Sequence, residues 1–120
     1  MSDSANNAVR RIAADGTVTT VAGGAGLGGP GGHADGDAIT TAQFSDPRGI
    51  GVCGRSGTIF VGDYGNHSVR KIEAGCVTTV VTELPNGAGT GLVVEIPGPK
   101  TNLQLTVVVS CYFDHNLVRV

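Results

Sequence analysis

Short apolar runs separated by turn-forming residues recur along the chain, and the clearest block lies in its middle. Its four runs span residues 49–53, 59–61, 68–73 and 76–82. Val, Ile and Thr recur in these runs and favour strands over helices. No amphipathic stretch of helical period is longer than about two turns. The pattern therefore predicts an all-β chain in which four short antiparallel strands are joined by tight turns.

The sequence also repeats itself. The segment Asp3–Ile12 reappears as Asp63–Ile72, and a degraded third copy lies at Asp114–Val120. The residues that follow the first two copies, 15–21 and 74–80, correspond as well. Internal repetition with one supersecondary unit per copy is typical of repeat architectures, and four-stranded antiparallel units form the blades of β-propellers.

Each of the first two copies places the same polar residues in the same slots, namely Asp3, Asn6 and Arg10, and then Asp63, Asn66 and Arg70. Asp63 and Asn66 are predicted to fix a tight turn through hydrogen bonds to nearby backbone, and Gly65 to supply a positive φ. Arg70 is expected to pair with Asp63 or with a neighbouring blade. A catalytic group of Asp63, His67 and Arg70 is the alternative, but a structural device recurs in every repeat whereas a catalytic group is normally single.

These residues resemble the NHL repeat family. The resemblance rests on Phe44, Pro47 and Gly49-Ile50, then on Gly57–Asp63, and then on Asn66–Ile72, in which Asn66-His67 takes the place of the name-giving pair. The preceding Asp35-Gly36-Asp37 resembles the lead-in of longer NHL blades. Gly62 and Asn7 depart from the usual Ala and His. The resemblance implies blades of an NHL-type β-propeller.

The predicted organisation has four parts. Residues 1–24 form the end of one blade (strands three and four), 25–43 a glycine-rich inter-blade loop, 44–82 a complete blade and 83–120 a degraded partial blade. The roughly nine predicted strands are too few for a closed ring of about four to eight four-stranded blades. The chain is therefore expected to be a fragment of a larger propeller, a subunit that completes a ring by self-association, or an open two-blade arrangement.

Candidate chemistry is sparse. His33, Asp35 and Asp37 lie close together in the sequence and are candidates for a metal site, although Asp-Gly is also a common turn. The glycine-rich stretch 26–31 matches GxGxxG literally, but Pro30 interrupts it and no helical pattern follows, so a flexible loop is predicted. The sequence predicts no cofactor and, because no catalytic motif is visible, no enzyme. Cys53, Cys76 and Cys111 are expected to be small buried hydrophobes.

The net charge and the hydropathy of the chain argue against nucleic acid and membranes as partners. Ten acidic residues outnumber eight basic ones and the net charge is −2, which argues against nucleic acid. No apolar stretch has the length of a membrane span, and no signal peptide is visible, so an intracellular location is favoured.

The favoured function is a scaffold for a protein or peptide partner, because propeller blades hold loops on a rigid frame. The candidate binding residues are Arg55, Tyr64 and His67. The alternatives are a piece of a metal-dependent propeller lyase or hydrolase, and an RNA-binding NHL domain, both of which the resemblance implies.

Overall fold

A computed structural model describes residues 1–54, 56–82, 88–95, 106–111 and 117–119. Within these ranges the chain forms eleven β-strands and three single 3₁₀ turns, with no α-helix. The strands are β1 (Ser2–Asp3), β2 (Ala8–Ile12), β3 (Val18–Ala22), β4 (Gly36–Asp37), β5 (Pro47–Val52), β6 (Ile59–Asp63), β7 (Ser68–Glu73), β8 (Cys76–Val81), β9 (Ala88–Glu95), β10 (Thr106–Cys111) and β11 (Leu117–Arg119). All of them pair antiparallel. The all-β prediction is confirmed.

The central sheet has five strands in the order β4-β8-β7-β6-β5. The last four make the antiparallel meander that the sequence predicts, and their bounds differ from the predicted runs by no more than a few residues at any end. The remaining strand, β4, was not predicted. Gly36–Asp37 pairs with β8, the last strand of the meander, so the Asp35-Gly36 step enters a strand and does not form the expected turn.

The first sheet, β1-β2-β3, repeats the register of the central one. Arg10 lies opposite Thr20 as Arg70 lies opposite Thr79, and both hairpins have an irregularity at the residue before the arginine. The similar segments therefore pair in the same way, as a repeat requires.

The third sheet, β11-β10-β9, lies with β9 close to β5 and β6. Of the predicted third copy, only Leu117–Arg119 falls within the described residues. The other residues of this copy, 114–116 and 120, lie outside them.

The hydrophobic core joins the first sheet to the central sheet. Its buried members are Val9, Ala22, Ala38, Ala42, Phe44, Val61, Ile72 and Val77. Three of these, Ala38, Ala42 and Phe44, come from the segment that follows the glycine-rich loop. Residues 38–44 therefore supply part of the core and do more than connect two blades.

The positive φ predicted for Gly65 is wrong. The left-handed residue of this turn is His67, with φ 50°, and Asn7 holds the same position in the first copy with φ 55°. The reason is that the chain makes a 3₁₀ turn over Tyr64–Asn66 and leaves it through one left-handed residue. Gly65 is needed for space, since a Cβ there would lie 2.8 Å from the Ser45 carbonyl oxygen.

The cysteines do not share one environment. Cys53 is buried, as expected, whereas Cys76 at the start of β8 is exposed. The expectation of a buried Cys76 is therefore wrong, because this strand ends the meander and its first residue lies at the tip of a hairpin.

Candidate functional site

Two equivalent corners dominate one end of the first and central sheets. In each, an aspartate precedes a 3₁₀ turn, Ser4–Asn6 in the first copy and Tyr64–Asn66 in the second. The residue after the turn donates its N–H to the carbonyl of the first turn residue at 3.2 Å in both copies. The repeated sequence therefore gives one repeated backbone conformation.

Asp63 is the buried acceptor of the second corner. Its Oδ1 accepts the Ser45 backbone N–H at 2.8 Å, and its Oδ2 accepts Asn66 Nδ2 and Arg70 Nη1, both at 2.7 Å. Burying a carboxylate is costly unless it is paired and hydrogen-bonded. Asp63 meets both conditions, since each of its oxygens has a donor and one donor carries a positive charge.

Arg70 is fully buried, and all five of its N–H groups have acceptors. Nε and Nη2 donate to Asp35 Oδ1 at 3.2 and 2.7 Å, and Nη1 donates to Asp63 and to the Gln43 carbonyl. The remaining Nη2 proton goes to the Ala34 carbonyl at 2.8 Å. The pairing with Asp63 that the sequence suggested is present. Arg70 thus joins the corner to two segments that precede it by some thirty residues, while His67 is exposed.

The metal candidates are engaged with the protein. Asp35 accepts Thr79 Oγ1 at 2.9 Å besides Arg70, and Asp37 Oδ1 accepts the backbone N–H groups of Ile39 and Thr40. The structure does not bring His33 together with them as a cluster: among the described residues, no group of three or more His, Cys, Asp or Glu is placed to hold a metal ion.

The electrostatics of these carboxylates follow from their donors. Partial burial raises the pKa of Asp35, but the hydrogen bonds from Arg70 and Thr79 and the Arg70 charge outweigh it and hold the pKa below its ordinary value. The backbone hydrogen bonds from Thr40 and Ile39 lower the pKa of Asp37. Both groups are therefore carboxylates at neutral pH.

The first corner is the looser of the two. Asn6 Nδ2 donates to Asp3 Oδ2 at 2.9 Å, as in the second corner, but Arg10 Nε lies 3.7 Å from that oxygen. Arg10 Nη1 donates directly to Thr20 Oγ1 at 2.6 Å. Arg10 Nε is buried and donates no hydrogen bond to any described residue.

The glycine-rich loop contacts both corners. The Gly28 N–H donates to the Asn6 carbonyl at 3.2 Å, and Asn7 Nδ2 donates to the Gly29 carbonyl. Asn66 Nδ2 donates to the Gly32 carbonyl at 2.8 Å. The loop expected to be a flexible connection is thus hydrogen-bonded to each copy in turn.

An aromatic and cationic surface lies on the second corner, where Arg48 and His67 are exposed and Tyr64 is partly exposed. The Arg48 guanidinium stacks 3.7 Å from the centroid of the Tyr64 ring and forms a 2.7 Å ion pair with Asp46. The hydrogen bond to Asp46 raises the pKa of Arg48 above its ordinary value. We call Arg48, Tyr64 and His67 the corner surface.

The sequence pointed to Tyr64 and His67 as binding candidates but missed Arg48, which follows Pro47 in no recognisable motif. The third candidate, Arg55, lies outside the described residues.

A cleft of about 300 Å³ opens between the first and central sheets. Its lining is mostly apolar and includes Val9, Arg10, Ile12, Ile50, Val52 and Ile59. Ile12 and Val52 are more than half exposed at its rim.

The central sheet defines the class of this structure, since a four-stranded antiparallel meander with a repeated corner is a propeller-type blade. Residues 44–72, which run from Phe44 to the buried Ile72 and contain β5, β6 and most of β7, match the family model described as NHL repeat. The resemblance seen in the sequence is confirmed for these residues. No curated protein matches the chain. In the part of the chain that the structure describes, no helix is long and apolar enough to cross a membrane.

Proposed function

We propose that the chain is a peptide-binding scaffold and that the corner surface is where it binds. The observation that carries this proposal is the stacking of the exposed Arg48 on β5 against the partly exposed Tyr64 on the turn. Tyr and Arg are enriched among the residues that contribute most to binding at protein interfaces. Scaffolds with rigid frames present such residues on turns and loops.

The turn that carries Tyr64 is fixed by hydrogen bonds to several other segments of the chain. Tyr64 directly follows the buried Asp63, and the Gly65 N–H donates to the Ser45 carbonyl at 2.8 Å. Asn66 is bound to Asp63 and to the glycine-rich loop. A surface that is ordered before its partner arrives avoids part of the entropic cost of binding.

The chemistry of the surface favours a partner with an acidic or aromatic group. Arg48 covers one face of the Tyr64 ring, and its side chain remains 43 % exposed despite the ion pair with Asp46. An incoming carboxylate has donors in the guanidinium of Arg48 and the phenol of Tyr64, and an aromatic side chain has the outer face of the guanidinium.

The test is a selection of binding peptides from a displayed random library against the purified chain. The affinity of an enriched peptide is then measured by isothermal titration with variants of the chain. Tyr64→Ala and Arg48→Ala are each expected to weaken binding about 30-fold, as replacement of a dominant interface residue does.

Arg11→Ala is the matched control, because it also removes an exposed arginine but lies near the far end of β2. It is expected to leave the affinity unchanged, and unfolding curves establish that each variant is folded. Enriched peptides that bind all three variants as they bind the original chain would exclude the corner surface.

A further inference from the structure

The two copies of the repeat contain identical apolar residues with opposite exposure. Val77 on β8 is 1 % exposed, while Val18 at the equivalent place on β3 is 49 % exposed. Ile72 is 5 % exposed and its equivalent Ile12 is 56 % exposed. Since residue type and register are the same, the difference comes from what covers each copy.

In the second copy, part of the cover is the lead-in segment. Gly36 pairs with Val77 and Asp37 with Cys76, which adds β4 to the edge of β8. The Ala38 N–H donates to the Gly75 carbonyl at 2.9 Å and continues the pairing. Asp35, just before this strand, bridges Arg70 and Thr79.

In the first copy, no described residues cover the equivalent edge in this way. No described strand pairs with the outer edge of β3. Arg10 and Thr20 face each other as Arg70 and Thr79 do, but no second carboxylate joins them, and the buried Arg10 Nε has no hydrogen-bond acceptor among the described residues. Exposed β edges are templates for pairing with another chain.

We propose that the outer edge of β3 binds, as an added strand, an extended peptide of the Asp-Gly-Asp type followed by small apolar residues. The first aspartate lies between Arg10 and Thr20, and the glycine lies opposite Val18, in the register that Gly36 has on Val77. Strand addition supplies backbone hydrogen bonds, and the aspartate supplies the charge that complements Arg10. This inference rests on the proposed peptide-binding function but assigns it a second surface with its own partner class.

The apolar residues of the peptide have a place as well. In the second copy, Ala38 and Ala42 follow the acidic segment and are buried in the core. Equivalent residues of a bound peptide would cover Val18 and Ile12. One kind of peptide therefore contacts both the polar pair Arg10 and Thr20 and the exposed apolar residues of the first copy.

The probe is a synthetic peptide with the sequence of residues 33–42, blocked at both ends and carrying a fluorophore, titrated with the full chain and followed by fluorescence polarisation. Arg10→Gln is expected to weaken binding at least 10-fold, and so is a peptide with Asp35→Asn. Arg11→Gln is the control, because it removes a neighbouring exposed charge from the opposite face of β2, and it is expected to have no effect. Amide chemical shifts of β3 are expected to move on titration.

Binding that Arg10→Gln leaves intact, or the absence of binding at millimolar peptide, would overturn the inference. So would shifts confined to β8, since the peptide would then be replacing the chain's own lead-in. Tyr64→Ala separates the two proposals. If it weakens library peptides while the Asp-Gly-Asp probe fails to bind, the corner surface stands and the β3 edge does not. If Tyr64→Ala leaves the library peptides unaffected while the Asp-Gly-Asp probe binds, the corner surface alone is rejected.

Discussion

At the scale of single residues, the corners show how a turn is built without glycine in its left-handed position. Asn7 and His67 both adopt φ near 50°, a region that Asn and His visit more readily than β-branched residues. Glycine is the default choice for such a position, which is why sequence reasoning assigned it to Gly65. The repeat contains a clue, because Ala5 in the first copy occupies the slot of Gly65 and is incompatible with a required positive φ.

Gly65 is instead constrained by its neighbour. We expect Gly65→Ala to lower the free energy of unfolding by about 1–3 kcal/mol, because the new methyl group overlaps the Ser45 carbonyl. Gly65→Val should cost more for the same reason. The measurement is urea unfolding of each variant.

Gly54→Ala provides the control, since nothing lies within 4 Å of a Cβ at that position. Its effect is expected to stay within about 0.5 kcal/mol of zero. A Gly65→Ala variant as stable as Gly54→Ala would refute the close approach to Ser45.

At the scale of elements, the four strands of the central meander were predictable because each is a short apolar run bounded by turn residues. Strand β7, for example, has the predicted bounds at both ends. Strand β4 was not predictable in this way. It has two residues, one of them glycine, and its partner β8 lies about forty residues further along the chain. No local sequence pattern indicates this strand, because it forms only by pairing with the distant edge of β8 and by the contact of Asp35 with Arg70.

The lead-in that contains β4 should make stability depend on pH through Asp35. Its pKa is lowered in the folded chain, so its contribution is present above the unfolded value of about 3.9 and is lost as pH falls through the lower folded value. We expect Asp35→Asn to be less stable than the original chain at pH 7, because Arg70 loses an ion pair. The difference in the free energy of unfolding between the two chains should decrease progressively below about pH 5.

Urea unfolding of both chains at several pH values between 7 and 2.5 measures this gap. Thr79→Val is the companion variant, because it removes one donor to Asp35 and keeps the carboxylate. It should show a smaller loss at pH 7. A gap between Asp35→Asn and the original chain that stays constant down to pH 2.5 would contradict a role for the ionised Asp35.

At the scale of the whole molecule, the same arginine slot has two different roles. Repetition in the sequence identified Asp63, Asn66 and Arg70 as a structural group, and the pair of Asp63 and Arg70 could be foreseen. The other acceptors of Arg70 are the Asp35 carboxylate and the backbone carbonyls at positions 34 and 43, and the two carbonyls have no sequence signature. Through them Arg70 links the central sheet to the segment that fills the core between two sheets.

We therefore expect Arg70→Gln to destabilise the whole chain by about 3–5 kcal/mol, since it leaves Asp63 buried without its charged partner. Arg10→Gln, the same change in the equivalent slot, should cost about 1 kcal/mol or less, because the Arg10 and Asp3 side chains are partly exposed and 3.7 Å apart. Hydrogen exchange should show faster opening of both sheets in the first variant.

The expected loss in Arg70→Gln is a large part of the free energy of unfolding of a typical domain, roughly 5–15 kcal/mol. Asp63→Asn and the double variant are therefore measured as well. If the cost arises from the unpaired charge, the double variant should be less destabilised than the sum of the two single variants. Additive losses would instead place the contribution of Arg70 in its bonds to Asp35 and to the two carbonyls. Equal losses at Arg70 and Arg10 would show that the two slots are equivalent after all, and that the added strand β4 contributes nothing to the second.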